Sequence, residues 1–259
     1  MRLIELTGLP GSGKSKILPI VRKYFSNRGL EVYDKHLLVL SCKEFPLNKI
    51  FITTFINFFP GTFRDKILAL FYRLLDNKQT YIAHYLLENW KFSETILNNI
   101  SESPFPSYQK NWLVLWWFNI ISLYQMGLES LQKDAIILFD EGFYHKVINF
   151  FVHLKTDLEY AKIECYVKGI PNVDILIHVE TSLDKCLERL KSRKLPRVIR
   201  GSRTPEVRSY LEKSREAIQY SQKIICTKGT KIVKIENSSS PFSQMNITDQ
   251  LANELSSLI

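Results

Sequence analysis

Apolar positions along this chain follow two rhythms: short continuous runs, and longer stretches in which apolar residues return every three or four positions. The first run is Leu3, Ile4 and Leu6, closed by Thr7-Gly8, after which Ile17, Leu18, Ile20 and Val21 recur at helical spacing. This predicts a strand, a turn, and a helix from Lys14 to about Asn27 stopped by Gly29. Pro19 falls in the helix's first turns, where it costs least. Leu30 to Asp34 reads as a short strand ending in a carboxylate. Ala135 to Phe139 and Val173 to Val179 are continuous apolar runs, the pattern of parallel strands buried on both faces. Helices are predicted from Gly142 to about His153, from Thr156 to about Val167, and through Leu183, Cys186, Leu187 and Leu190. A long helix from Glu206 to about Ile225 and a last strand from Lys231 to Ile235 follow. Thr248 is the expected cap of a closing helix bearing Leu251, Leu255 and Leu258.

Between Cys42 and Lys133 the strand rhythm disappears. Phe51, Phe55, Phe58 and Phe59, then Phe63, Ile67, Leu70, Phe71 and Leu74, then Tyr81, Tyr85 and Leu86 repeat at helical intervals, as do Trp112, Leu115, Trp116, Asn119, Ile120 and Leu123. Pro60-Gly61 and Pro104-Phe105-Pro106 punctuate the block, which reads as about four helices. It is too long for a structureless loop and is expected to be a helical insertion or an extended substrate-side region. Trp112, Trp116 and Trp117 fit core packing, with a pocket wall as the other reading. Asn111 to Leu123 is too short to span a bilayer.

Composition adds location and charge. Met1-Arg2 runs directly into the first strand, leaving no room for a signal peptide. Cys42, Cys165, Cys186 and Cys226 are far apart and show no metal-ligand spacing. Both features lead to the expectation of a cytoplasmic protein with reduced thiols and no transmembrane segment. The net charge of +9 is concentrated: Arg189 to Lys234 holds 14 Lys and Arg against 3 Asp and Glu, a local net of +11. Within it, Arg193, Arg197, Arg200, Arg203 and Arg208 are interleaved with Pro196, Gly201 and Pro205. Such a segment suits anionic phosphates of a small ligand, or a nucleic-acid or membrane surface.

The chemistry gathers at strand ends. Gly8, Gly13, Lys14 and Ser15 fit G-x-x-x-x-G-K-[ST] between a predicted strand and a predicted helix, the context a phosphate-binding loop requires. Gly8, Gly11 and Gly13 permit close approach. The backbone N–H groups of residues 11–15, with Ser12 and Lys16 among the loop's contacts, surround a polyphosphate at the helix N-terminus. Lys14 reaches the β- and γ-phosphates, and the Ser15 hydroxyl ligates Mg²⁺. Asp140, ending an apolar strand before Glu141, is the second expected Mg²⁺ ligand. Asp34 and His36 stand just beyond a strand's carboxyl end, where open α/β sheets bind ligands. For Asp34 the other reading is a helix cap, for His36 a surface side chain.

The order of these parts resembles the P-loop small-molecule kinases, and within them the nucleoside-monophosphate kinases, particularly thymidylate kinase. GLPGSGKS is similar to the kinase-type phosphate loop, and DILIHVETSLDKCLERLKSR to the strand-helix unit that leads into the thymidylate-kinase lid. KIVKIENSSS resembles the closing strand and the loop flanking the adenine, which brings in Asn237. The likeness covers roughly residues 1–36 and 134–259. It implies an α/β fold of the P-loop NTPase type: one three-layer α/β/α domain over residues 1–259, with a five-stranded parallel sheet in the order 2-3-1-4-5. Residues 42–133 would be its helical insertion and residues 193–208 an arginine-rich mobile lid. It further implies ATP and Mg²⁺ as cofactors, a small-molecule acceptor, no nucleic-acid partner, and a homodimer as a candidate assembly. Arg193, Arg197 and Arg200 are the first choices for lid arginines closing over the γ-phosphate.

One departure bears on the acceptor. Thymidylate kinases usually carry Asp-Arg where this chain has Asp140-Glu141, so the arginine that holds an acceptor's phosphate is missing. A nucleoside or sugar hydroxyl acceptor needs a base instead, for which Asp34 and Glu141 are the candidates. Two further classes compete. LFDE also suits a hydrolytic P-loop ATPase, although neither an LSGGQ-like signature nor N-K-x-D is present. A nucleotide-regulated nucleic-acid or membrane binder would use the basic segment as its docking face.

Overall fold

β1 (Arg2–Thr7) lies at the centre of a five-stranded sheet, flanked by β3 (Ile136–Phe139) on one side and β4 (Ile175–Glu180) on the other. β2 (Val32–Asp34) borders β3, and β5 (Lys231–Glu236) borders β4, giving the order β2-β3-β1-β4-β5 with every pair parallel. That is the expected order. The structure, a computed structural model, describes residues 1–41, 78–192, 195–237 and 244–255. Cys42, the apolar positions expected to be helical from Phe51 to Leu74, Arg193 and Leu258 lie outside them.

Strand alternation divides the interior into two cores. Ile4 and Leu6 of β1, Ile136 and Leu138 of β3, Ile175, Ile177 and Val179 of β4, and Val233 and Ile235 of β5 face one way. Against them pack Ile17, Ile20, Val21, Tyr24 and Phe25 of α1 (Lys14–Ser26) and the helix that closes the chain. Leu3, Ile137, Phe139 and Leu176 point the other way, into a larger core built by the remaining helices. A sheet covered on both faces needs strands that are apolar on both, which is why these runs are continuous.

The larger core contains α2 (Lys35–Ser41), α3 (Lys78–Glu88), α4 (Trp90–Glu102) and α5 (Ser107–Ser130). It is completed by α6 (Lys146–Phe151), α7 (Tyr160–Gly169), α8 (Leu183–Lys191) and α9 (Thr204–Cys226). The readings of the tryptophans divide between residues. Trp117 is fully buried and meets Tyr85, Phe92, Phe143 and Phe150 edge-on, whereas Trp116 is half-buried at the wall of a cavity. Among the described residues no helix is long and apolar enough to cross a membrane.

Three predicted helix starts move by about a turn. The helix expected from Gly142 begins only at Lys146, because the N–H groups of Phe143 and Tyr144 are taken by the Glu5 carboxylate. The helix expected from Thr156 begins at Tyr160. Thr248 lies inside α10 (Gln244–Leu255) and not at its cap. Ile247 packs on the sheet with Leu251 and Leu255, so the apolar stripe reaches back a further turn.

Candidate active site

The loop between β1 and α1 lies at the carboxyl end of the central strand. Gly8, Gly11 and Gly13 all have positive φ, of 148°, 90° and 99°. At Gly13, the residue preceding α1, the requirement is steric as well: a Cβ would lie 2.3 Å from Asn237 Nδ2. Among the described residues no side chain caps α1, and a helix N-terminus without a side-chain cap is an arrangement that attracts anions. The buried Lys14 ammonium donates to the carbonyl oxygens of Gly8 at 3.0 Å and Leu9 at 3.3 Å, folded over the loop. Ser12 is fully buried, and its hydroxyl finds no partner among the described residues.

Two residues that brace this loop come from far along the chain. The Asn237 amide donates to the Ser12 carbonyl at 2.6 Å. Arg189, near the end of α8, donates to the carbonyls of Gly11 at 3.2 Å, Ser12 at 3.1 Å and Asn237 at 3.3 Å. The resemblance points to Asn237. Arg189 escapes a sequence reading because it sits among the polar residues of an amphipathic helix; its distance from the loop is set by the β4–α8 crossover.

Two cavities meet at Ser15. One, of about 590 Å³, is lined by Gly11, Gly13, Lys14, Ser15 and Lys16, with Arg189 and Asn237 on one side and Trp116, Glu141 and His145 on the other. The second, of about 580 Å³, runs from Ser15 past Arg22 to Asp34, Lys35 and Asp140. The loop, Ser15, Asp140 and Glu141 are therefore brought to one end of the sheet. Among the described residues no cluster of His, Cys, Asp and Glu is able to hold a metal by itself. Ser15 and Asp140 instead line one cavity with two hard oxygen donors beside the glycine loop, a set that fits a Mg²⁺ keeping several waters.

The two candidate bases differ in freedom. Asp34 is committed on both oxygens: Oδ2 is 3.1 Å from Arg22 Nη1, and Oδ1 accepts the Leu37 N–H at 3.0 Å, capping α2. Its helix-cap reading is thus the geometric one. Glu141 is half exposed, with His145 Nε2 at 3.7 Å and Lys146 Nζ at 3.8 Å. His145 is pushed well below the usual imidazole range by burial, and further by Lys14 and Lys146, so it is neutral. Burial also lowers the Lys146 ammonium, against the opposing pull of Glu141, Asp140 and Glu5. The same ammonium stands 4.8 Å from the centre of the Trp116 ring.

The basic segment is partly folded. Arg197–Ile199 form a 3₁₀ turn, and Ile199 is fully buried in the larger core. α9 begins at Thr204, so Arg208 stands on a helix and pairs with Asp184 of α8. Arg200 is exposed and lines neither cavity. Nothing is described of the side chains of His36 and Arg197.

No protein-family model matches this chain, and no curated protein matches it in sequence. Among solved structures, a thymidylate kinase from Candida albicans is similar over 99% of this chain and 91% of its own, at 15% identity and a TM-score of 0.49. A deoxyadenosine kinase from M. mycoides is similar over 99% and 100%, at 13% identity and a TM-score of 0.43.

Proposed function

We propose that this chain is an ATP-dependent kinase that moves the γ-phosphate of ATP to a small acceptor such as a nucleoside, a nucleotide or a sugar. The observation that carries the reading is the convergence of the phosphate loop, Ser15, Asp140 and Glu141 on cavities that share Ser15. Lys14, Lys16 and the N–H groups of residues 11–15 hold the phosphates, with Ser12, Arg189 and Asn237 fixing the loop around them. Ser15 and Asp140 would hold Mg²⁺, which when bound would neutralise negative charge on the phosphates.

Little covalent work then falls to the protein. The acceptor oxygen bonds to the γ-phosphorus as the bond to the β–γ bridging oxygen breaks, and ADP leaves. For a hydroxyl acceptor, Glu141 takes the proton; its exposure and loose partners support it over the doubly engaged Asp34. Arg193, Arg197 and Arg200 belong to the segment that closes over the phosphates and keeps water from competing as acceptor.

Lys14→Ala tests the donor half. With the fold retained by circular dichroism, nucleotide turnover should fall at least about 100-fold; unchanged turnover removes the assignment. The acceptor half is read from ATP consumption, slow alone and accelerated when nucleosides, nucleotides and sugars are screened in turn. Rapid acceptor-independent hydrolysis abolished by Glu141→Gln would replace the kinase with an ATPase.

A further inference from the structure

Glu5 is the one acidic residue of β1, and it points into the larger core beside Leu3 and Phe139, with no exposed surface. A carboxylate on the central strand of a buried sheet is costly unless its oxygens are satisfied. Oε1 accepts the Phe143 N–H and Oε2 the Tyr144 N–H, both at 2.8 Å. Gly142 lies so close that a Cβ there would fall 2.2 to 2.6 Å from the carboxylate atoms. The same turn is held from two more directions: the Tyr166 hydroxyl donates to the Phe143 carbonyl at 2.7 Å, and the Tyr144 hydroxyl to the Ile218 carbonyl at 2.8 Å.

The position of this turn gives the contacts their meaning. It joins Asp140-Glu141 to His145-Lys146, the groups that surround the Glu141 carboxylate. We propose that Glu5 is a positioning residue: its carboxylate grips the turn after Asp140 and thereby sets where Glu141, His145 and Lys146 stand around the acceptor. Its kinetic consequence rests on the kinase reading above. Two converging N–H donors explain the choice of Glu. A glutamine turns an NH₂ toward the second N–H at every pH, leaving donor against donor, whereas the acid does so only while protonated, below about 7. Its described contacts are with this turn and not with the nucleotide loop, so turnover should suffer more than nucleotide binding.

Glu5→Gln is the test. Its folded protein should bind ADP-Mg²⁺ as the wild type does, with ATP KM changed less than about threefold while kcat falls about 10- to 100-fold, the scale seen when a supporting partner of a reacting group is removed. In parallel, amide hydrogen exchange at Phe143 and Tyr144 should accelerate while exchange in α1 stays as it was. If Glu5→Gln fails to fold, Tyr166→Phe loosens the same turn from its carbonyl side and should show the same split on a smaller scale. Unchanged kcat, unchanged exchange at Phe143 and Tyr144, or equal loss of nucleotide affinity and turnover would overturn the proposal. A wild type without acceptor-dependent turnover would defeat the kinase reading, and the exchange comparison would still decide this one.

Discussion

Lys35 Nζ lies 3.3 Å from Asp140 Oδ2, linking the first residue of α2 to the residue just beyond β3. Lys35 thus occupies the carboxylate that the proposed site uses for Mg²⁺. Both side chains are partly exposed, and such pairs contribute about 0.2–1 kcal/mol. Lys35→Ala should therefore tighten Mg²⁺-dependent nucleotide binding by about 1.5- to 5-fold. Titration calorimetry at fixed ADP and varied Mg²⁺ reads this directly. Weaker binding in the variant would mean that Lys35 assists the phosphates and does not compete for Asp140.

The parts that sequence revealed are those built from neighbours in the chain. The phosphate loop needs its glycines, Lys14 and Ser15 within a single turn. Each buried strand is a run of adjacent apolar residues, and Asp140 and Glu141 are identified by following such a run directly. Glu5 could not be recognised this way. Its partners, Phe143 and Tyr144, are brought to it only by the pairing of β1 with β3. Arg189 and Lys146 each read as an ordinary helix cation until the fold places one at the loop and the other beside Glu141. Thr248 is the opposite case: a good capping residue type lies within the helix, next to Ile247, which packs on the sheet.

The segment after Arg197 is anchored by apolar contacts as well as carrying charge. Ile199 is fully buried, and Val198 shares a small apolar pocket with Phe105, Tyr108, Trp112, Leu113 and Trp116. Ile199→Ala should cost about 2–4 kcal/mol in chemical denaturation, as for other buried aliphatic truncations. Trypsin should also cut the folded variant faster at Arg200 and Arg203. ATP-Mg²⁺ should restore protection if the segment closes over nucleotide. Unaltered cleavage would show that Ile199 does not hold the segment down.

Acid and neutral pH should act on different groups. Burial pulls His178 of β4 down to about 4 despite Glu180, with Lys234 and Lys14 lowering it further, and burial brings His153 to about 4 as well. A histidine that binds protons less well folded than unfolded stabilises the fold above about 6.5, and that stability is lost as pH falls through the folded value near 4. For His178 the loss by pH 4 is on the order of 3 kcal/mol. Glu5 has the opposite sign. Burial raises its carboxyl from 4.5 to about 7, against the lowering effect of the Tyr144 and Phe143 N–H groups and Lys146, so its contribution is complete below 4.5 and declines as pH rises through 7. Urea denaturation from pH 4 to 8 should accordingly show a stability maximum between these limits. Because the two slopes overlap between about 4.5 and 6.5 with opposite sign, His178→Gln should make stability rise less with pH there and Glu5→Gln should make it rise more. An acid limb unchanged in His178→Gln would mean that other groups, His153 first among them, carry the acid sensitivity.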